Sequence, residues 1–350
     1  MAHTPATVRG TAMNSKIASD TASAAFERVL VASEGGAGLI PLTRFALRFA
    51  RPSALVRLVD VICNPAALVP TLLLSYPDWS EAHRAMLHAA QIRLAHAAHD
   101  AAAFVTRPET DLIDLVELHR HATDALSDAA QTWHADLIAV ASHPRSHRWA
   151  CRLDPEELVA ATHCPVLHVP TAWLGGQDAA VARVLVAIDG SAASIMALRF
   201  ASRIVPRGAT FNVIYVTDGR SGLRDLLPHS FFRHDGERAL ADAESVMKSM
   251  SIPTETAMVE TDREYDDVAS VILRETRQWQ ADLVVMSSSS RPMLKHPLPG
   301  HVVAHTLHNA ECPVLVCPPS IERFTRIDPE SDSQQQAASE GTISPPPVFL

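Results

Sequence analysis

Arg28-Val29-Leu30-Val31-Ala32, near the start of the chain, is repeated letter for letter as Arg183-Val184-Leu185-Val186-Ala187. At the same offset Arg44-Phe45-Ala46 returns as Arg199-Phe200-Ala201. Further on, Trp133-His134-Ala135-Asp136-Leu137-Ile138 returns as Trp279-Gln280-Ala281-Asp282-Leu283-Val284, and Cys164-Pro165-Val166-Leu167 as Cys312-Pro313-Val314-Leu315. Four matches in one order, with offsets that drift only as loop lengths drift, mark an internal duplication.

Within each copy, short β-branched runs alternate with longer helical patterns. In the second copy Val184–Ile188, Phe211–Val216, Leu283–Met286 and Val314–Cys317 read as strands buried on both faces, as a parallel sheet requires. Ala192–Val205, Gly236–Met250, Asp266–Trp279 and His301–Asn309 read as helices; Pro206 and Gly208 stop the first, and Pro253 follows the second. The first copy repeats the plan with strands at Val29–Ser33, Leu55–Val61, Leu137–Ala141 and Val166–Val169 and a helix from Ser80 to Ala103. This order predicts right-handed βαβ crossovers, and so an α/β fold of two doubly wound, five-stranded parallel sheets with helices on both faces. The expected division is a disordered start (residues 1–25), a first domain (26–171), a linker (172–180) containing Gly175-Gly176, a second domain (181–319), and a disordered Asp/Ser/Gln/Pro-rich tail (320–350).

Composition narrows the function classes. A length of 350 residues fits two domains, and 47% apolar with 20% charged residues fits globular cores. The formal net charge of −9, with no Lys/Arg block, argues against a nucleic-acid partner. The five cysteines (Cys63, Cys151, Cys164, Cys312, Cys317) form no CxxC pair and read as reduced thiols. No apolar signal-peptide core occurs in the first 25 residues, and charges or proline interrupt every candidate membrane span, so a soluble cytoplasmic protein is expected.

The stretch Val184-Leu185-Val186-Ala187-Ile188-Asp189-Gly190-Ser191, followed by a helix, resembles the first strand and loop of a universal stress protein domain. Ala310-Glu311-Cys312-Pro313-Val314-Leu315-Val316 resembles that family's last strand. The resemblance covers roughly residues 181–319 and, through the repeat, about 26–171. It implies a five-stranded parallel sheet, ATP bound at the carboxyl ends of the strands in many members and in others no nucleotide, and, for tandem members, an intramolecular pseudo-dimer. Further homodimerisation is left open.

An open α/β sheet takes its ligand where the strand order reverses, outside the carboxyl ends of the strands. Asp189 lies at that rim, where its carboxylate can accept a hydrogen bond from an adenine amine or a ribose hydroxyl, or serve the turn into the next helix. Gly190, Ser191 and Val216, at the ends of the first two strands, are expected to bind the nucleotide with it. The phosphate loop departs from the family pattern of three glycines and a hydroxyl residue: the matching positions are Ser287, Ser290, Gly300 and His301. Arg291 and Lys295 add positive charge, whereas Pro292, Pro297 and Pro299 stiffen the loop and remove N–H donors. In the first copy Glu34 stands for Asp189, and the loop Ser142-His143-Pro144-Arg145-Ser146-His147-Arg148-Trp149 has no glycine. Any adenine nucleotide is therefore expected in the second copy alone.

The remaining constellations are bland. His301, His305 and His308 share a helical face at i, i+4 and i+7 but have no second shell apparent beyond Glu311, and they read as an exposed polar face rather than a metal site. His96/His99 and His143/His147 read as chance pairs. No GxSxG, GxxxxGK[ST], HExxH or post-strand GxGxxG motif occurs, so no catalytic residue is assigned. Leu72-Leu73-Leu74 and Leu226-Leu227 read as leucines folded back on the sheet or as apolar patches for a partner. The expectation is a non-enzymatic stress protein binding ATP or another adenine nucleotide in its second half. The rivals are a nucleotide-free interaction module and an adenine-nucleotide hydrolase.

Overall fold

The computed structural model describes residues 26–36, 38–142, 153–173, 181–218, 229–261, 266–288 and 301–321, with backbone alone for 229–232 and 301. The first half runs β1 (Phe26–Ser33), α1 (Leu39–Ala46), β2 (Ala50–Ile62), α2 (Tyr76–Ala101), β3 (Glu109–Asp114), α3 (Ala122–Trp133), β4 (Leu137–Ser142), α4 (Pro155–Thr162) and β5 (Val166–Pro170). The second repeats it: β6 (Arg183–Ile188), α5 (Ala192–Ile204), β7 (Thr210–Thr217), α6 (His229–Ser249), β8 (Thr254–Glu260), α7 (Val268–Trp279), β9 (Leu283–Ser287), α8 (His301–Asn309) and β10 (Val314–Cys317).

The two expected sheets are one. The strand order is β3-β2-β1-β4-β5-β10-β9-β6-β7-β8, all parallel within each half. The join is antiparallel, with Val314 opposite His168, Leu315 opposite Leu167 and Val316 opposite Val166. Each half thus covers the other's β5-type edge, which removes two exposed strand edges. The antiparallel join also points the carboxyl rims of the halves to opposite ends of the sheet.

Period-two alternation distributes the strand side chains between two continuous cores. Val29, Val31, Val184 and Val186 lie with Phe45, Leu94 and Phe200 on the α1/α2/α5/α6 face. Leu30, Ala32, Leu185 and Val314 lie with Leu126, Trp133, Leu158 and Ile272 on the α3/α4/α7/α8 face. Both cores span both halves, and Phe26 of the first half meets Phe200 of the second edge-on at 5.7 Å.

Boundaries moved in understandable ways. Helix α6 starts at His229 rather than Gly236, and α2 at Tyr76, where Ser75 caps it and Pro77 occupies the first turn. Asp267 caps α7, so Asp266 stands outside that helix. Residues 174–180 of the expected linker 172–180, the start 1–25 and the tail from 322 lie outside the described residues.

Candidate functional site

The duplicated Trp-x-Ala-Asp segment is the first place to look for chemistry, and it proves structural. Asp136 accepts the backbone N–H of Glu27 (2.7 Å) and of Arg28 (2.9 Å). Asp282 does the same for Ala182 (3.0 Å) and Arg183 (2.8 Å). His134 and Gln280 close the preceding helices in left-handed backbone at φ 56° and 54°. These aspartates clamp the starts of β1 and β6, at the end of each half opposite its carboxyl rim. Burial pushes the Asp136 carboxyl up to about 6, and Glu27's charge adds to that, against its two backbone donors.

The strand order of each half reverses between its first and fourth strands, β1/β4 and β6/β9. At the β6 rim Asp189 is half-buried and Gly190, at φ 76°, is exposed. The Asp189 Oδ1 accepts from the Ser191 N–H (2.9 Å) and from the Ser191 hydroxyl (2.5 Å). Ser191, not Asp189, caps α5, its Oγ accepting from the Ser194 N–H at 3.2 Å. The aspartate therefore shapes the turn and presents a carboxylate at the rim together. Val216, next to last in β7, and Ser287, last in β9, are half-buried; Ser288 is buried and donates its N–H to the Cys317 carbonyl at 2.8 Å. Ser290 and Gly300 lie outside the described residues, as do Arg291 and Lys295, and His301 is seen only as the first residue of α8.

The first-half rim uses the same positions differently. Register aligns Ser33 with Asp60 and Ile188 with Tyr215, so Asp60 and Tyr215 are counterparts. Asp60 is wholly buried and accepts from the Ser33 hydroxyl (3.3 Å), the Gly35 N–H (2.9 Å) and the Arg93 Nε (2.9 Å), with Arg93 Nη2 at 2.8 Å. Glu34, the counterpart of Asp189, accepts the N–H of Leu153. Leu153, the counterpart of His301, is itself buried in the core cluster with Ala32 and Val61. Ala32, Val61 and Ala141 are buried, whereas their counterparts Ala187, Val216 and Ser287 are half-buried. Among the described residues, the first rim is closed by its own side chains, and the strand ends of the second are only half-buried.

Asp60 and Arg93 escaped the sequence reading, although a charge inside Leu58-Val59-Asp60-Val61-Ile62 was the readable signal that a buried partner must exist. The histidine face is corrected as well. His305 is half-buried and bonds Asp267 Oδ2 through Nδ1 at 2.9 Å, and His308 is exposed; the side chain of His301 lies outside the described residues. Its orienting carboxylate comes from the cap of α7, far in sequence, rather than from Glu311. Among the described residues no group of three or more His, Cys, Asp or Glu is arranged to hold a metal ion. All four described cysteines are buried, Cys151 lying outside the described residues; burial, with the charge of Asp282, pushes the Cys312 thiol up to about 12, and burial raises Cys317 too.

The family model for the universal stress protein family matches residues 25–170 and again 181–318. The chain belongs to the universal stress protein family. Both halves are members, so the duplication is one universal stress protein domain repeated in tandem. Universal stress protein MJ0531 of Methanocaldococcus jannaschii is 27% identical over 142 residues, covering 38% of this chain and 80% of the relative. A universal stress protein of Archaeoglobus fulgidus aligns over 85% of this chain and 98% of its own, at TM-score 0.56 and 15% identity. A functionally unknown protein of Pseudomonas aeruginosa PAO1 aligns over 91% of this chain and 99% of its own, at TM-score 0.50 and 15% identity. At such identities the likeness to the solved structures is one of fold, and it extends to the tandem arrangement. No helix among the described residues is long and apolar enough to cross a membrane.

Proposed function

We propose that this universal stress protein is a cytoplasmic, non-enzymatic stress-response protein whose second half alone binds ATP or another adenine nucleotide. The base and ribose lie against Asp189, Gly190, Ser191 and Val216; the phosphates lie toward Ser287, Ser290, Gly300 and the start of α8 at His301, where helix N–H groups favour anions. The observation that carries this reading is the contrast of the rims: Ala187, Val216 and Ser287 are half-buried where Ala32, Val61 and Ala141 are buried, in the half that also holds Leu153 in its core and the Asp60–Arg93 pair.

Titration calorimetry with ATP, ADP and AMP tests it. One equivalent per chain is expected, and Asp189→Ala weakens binding about tenfold, the worth of one lost hydrogen bond to a charged acceptor. Asp189→Asn keeps an acceptor for the Ser191 N–H and so separates loss of the charge from loss of the turn. Binding untouched by both variants moves the site elsewhere, and two equivalents per chain overturn the assignment to one half. Silence at millimolar nucleotide favours the second reading, an interaction module, which the exposed Leu73 and Leu74 of the first half support. Steady ATP turnover favours a hydrolase.

A further inference from the structure

From Cys63 to Pro77 the chain runs 15 residues without a charged side chain. The structure leaves much of this stretch in solvent: Leu74 is 88% exposed, Tyr76 76%, Leu73 72%, Val69 48% and Leu68 41%. Contiguous apolar surface of this kind is uncommon on a monomer and marks an interaction site. It is also preformed. Asn64 Oδ1 caps the short helical turn at the Ala66 N–H (3.0 Å) and accepts the Trp79 indole N–H (2.9 Å). Trp79 stacks between Tyr76 (5.8 Å) and His83 (5.3 Å), and His83 Nε2 holds Asp114 Oδ2 at 2.9 Å. The leucines thus project from a pinned aromatic ladder.

We propose that a segment of this same chain, Pro345-Pro346-Pro347-Val348-Phe349-Leu350, docks on this surface. Two features argue for it over a second copy. A surface of some five exposed side chains falls short of the roughly 800 Å² per partner that a stable protein pair buries, yet suits a peptide of about six residues. The chemistry also matches, because three successive prolines preset the polyproline backbone that aromatic-lined surfaces accept. Tyr76, backed by the stacked Trp79, supplies the aromatic face, and Val348-Phe349-Leu350 supplies apolar anchors for Leu73 and Leu74. Residues 328–344, by contrast, are mostly Asp, Glu, Ser, Gln and Ala.

The reach is sufficient. Cys317 ends β10 at the end of the sheet opposite the rim that follows β2, and four strand spacings away. Four spacings and one strand length separate the two by roughly 30 Å. The 23 residues 322–344 span about 25 Å as a flexible coil and up to about 75 Å extended. Tethering supplies an effective concentration near the millimolar range, which makes a weak six-residue contact intramolecular.

Hydroxyl-radical labelling of Leu73, Leu74 and Tyr76 tests the proposal in the full chain and in a chain ending at Ser344. Ending the chain at Ser344 is expected to raise labelling at least about threefold, and the free peptide Pro-Pro-Pro-Val-Phe-Leu to restore protection there but add none to the full chain. Phe349→Ser in the full chain gives the same rise without shortening it. Equal labelling of the long and short chains overturns the proposal. Protection that grows with protein concentration overturns it in favour of a second copy, and protection seen only with phosphatidylcholine vesicles overturns it in favour of a bilayer surface.

Discussion

The two halves share a strand order and an Asp clamp at the start of the first strand, yet differ at the rim where an open α/β sheet takes its ligand. In the first half a buried carboxylate, Asp60, draws in the Gly35 N–H and the Arg93 guanidinium, and Leu153 joins the core behind them. In the second half the Asp60 position is Tyr215, whose hydroxyl lies 3.3 Å from Asp235, at the surface. The Gly35 N–H is thus turned inward to a buried carboxylate, and Leu153, just ahead of α4, is part of the core. The lesson is that duplicated scaffolds keep the clamp and the strand cores in common and diverge at the rim, where the first half has a buried ion pair and the second has none at the matching position.

The sharpest way to break the comparison is Arg93→Ala. It strands Asp60, a carboxylate with no exposed surface, without its cation. Removing one partner of a buried pair costs about 3–5 kcal/mol, toward the lower figure here because Arg93 is 27% exposed. Urea unfolding should show the loss, whereas Tyr215→Phe at the matching position should change stability by less than about 0.5 kcal/mol. Equal effects in the two halves would mean the rims are energetically alike after all.

The sequence made the repeat, the alternation of strands and helices and four of the five strands of each half readable, because Val-Leu-rich runs and proline stops are local signals. It did not disclose that β5 and β10 zip the halves into one sheet, since Val166–Val169 and Val314–Cys317 read the same for an edge or an interior strand. Strands β3 and β8 were invisible for the opposite reason. They are the outer edges, half-exposed and carrying Glu109, Asp111, Glu255 and Glu260, so no apolar run announces them. At the rim, Asp189 was placed correctly on its turn, but its division of labour with Ser191 depends on hydroxyl geometry that a sequence does not hold. The closure of the first rim rests on Asp60 and Arg93, 33 residues apart on different elements, a pairing that only the fold creates.

A smaller effect sharpens the same contrast from the second half. Gly236 lies where α6 crosses β7 and β8, and a Cβ there would stand 2.9 Å from both the Met258 methyl and the Tyr215 ring. Gly236→Ala gains about 1 kcal/mol of helix propensity and loses about 2 kcal/mol to overpacking, for a net cost near 1 kcal/mol. In a Tyr215→Ala background the ring is gone, and the same substitution should be neutral or stabilising. A double-mutant cycle by thermal unfolding reads the coupling directly; a coupling of zero would mean the helix rides clear of Tyr215.

The smallest expected effect concerns the cap of α7. Burial pushes the Asp267 carboxyl up, but the hydroxyl and N–H of Ser270 and the neighbouring His305 outweigh it, and its net pKa falls below the ordinary carboxylate value of 3.8. A depressed folded pKa means the unfolded chain binds the proton more readily. The stabilisation is therefore complete above about pH 4 and is lost as pH falls through the still lower folded value. Asp267→Asn keeps a capping oxygen for Ser270 while removing the charge facing His305, with Asp266 and Arg274 paired beside it. At neutral pH the change should cost no more than about 0.5 kcal/mol, as partly exposed pairs do. Its distinguishing mark is a shallower loss of stability below pH 4, measured by unfolding across a pH series. At the matching helix start of the first half, His121 precedes α3 without a side-chain cap.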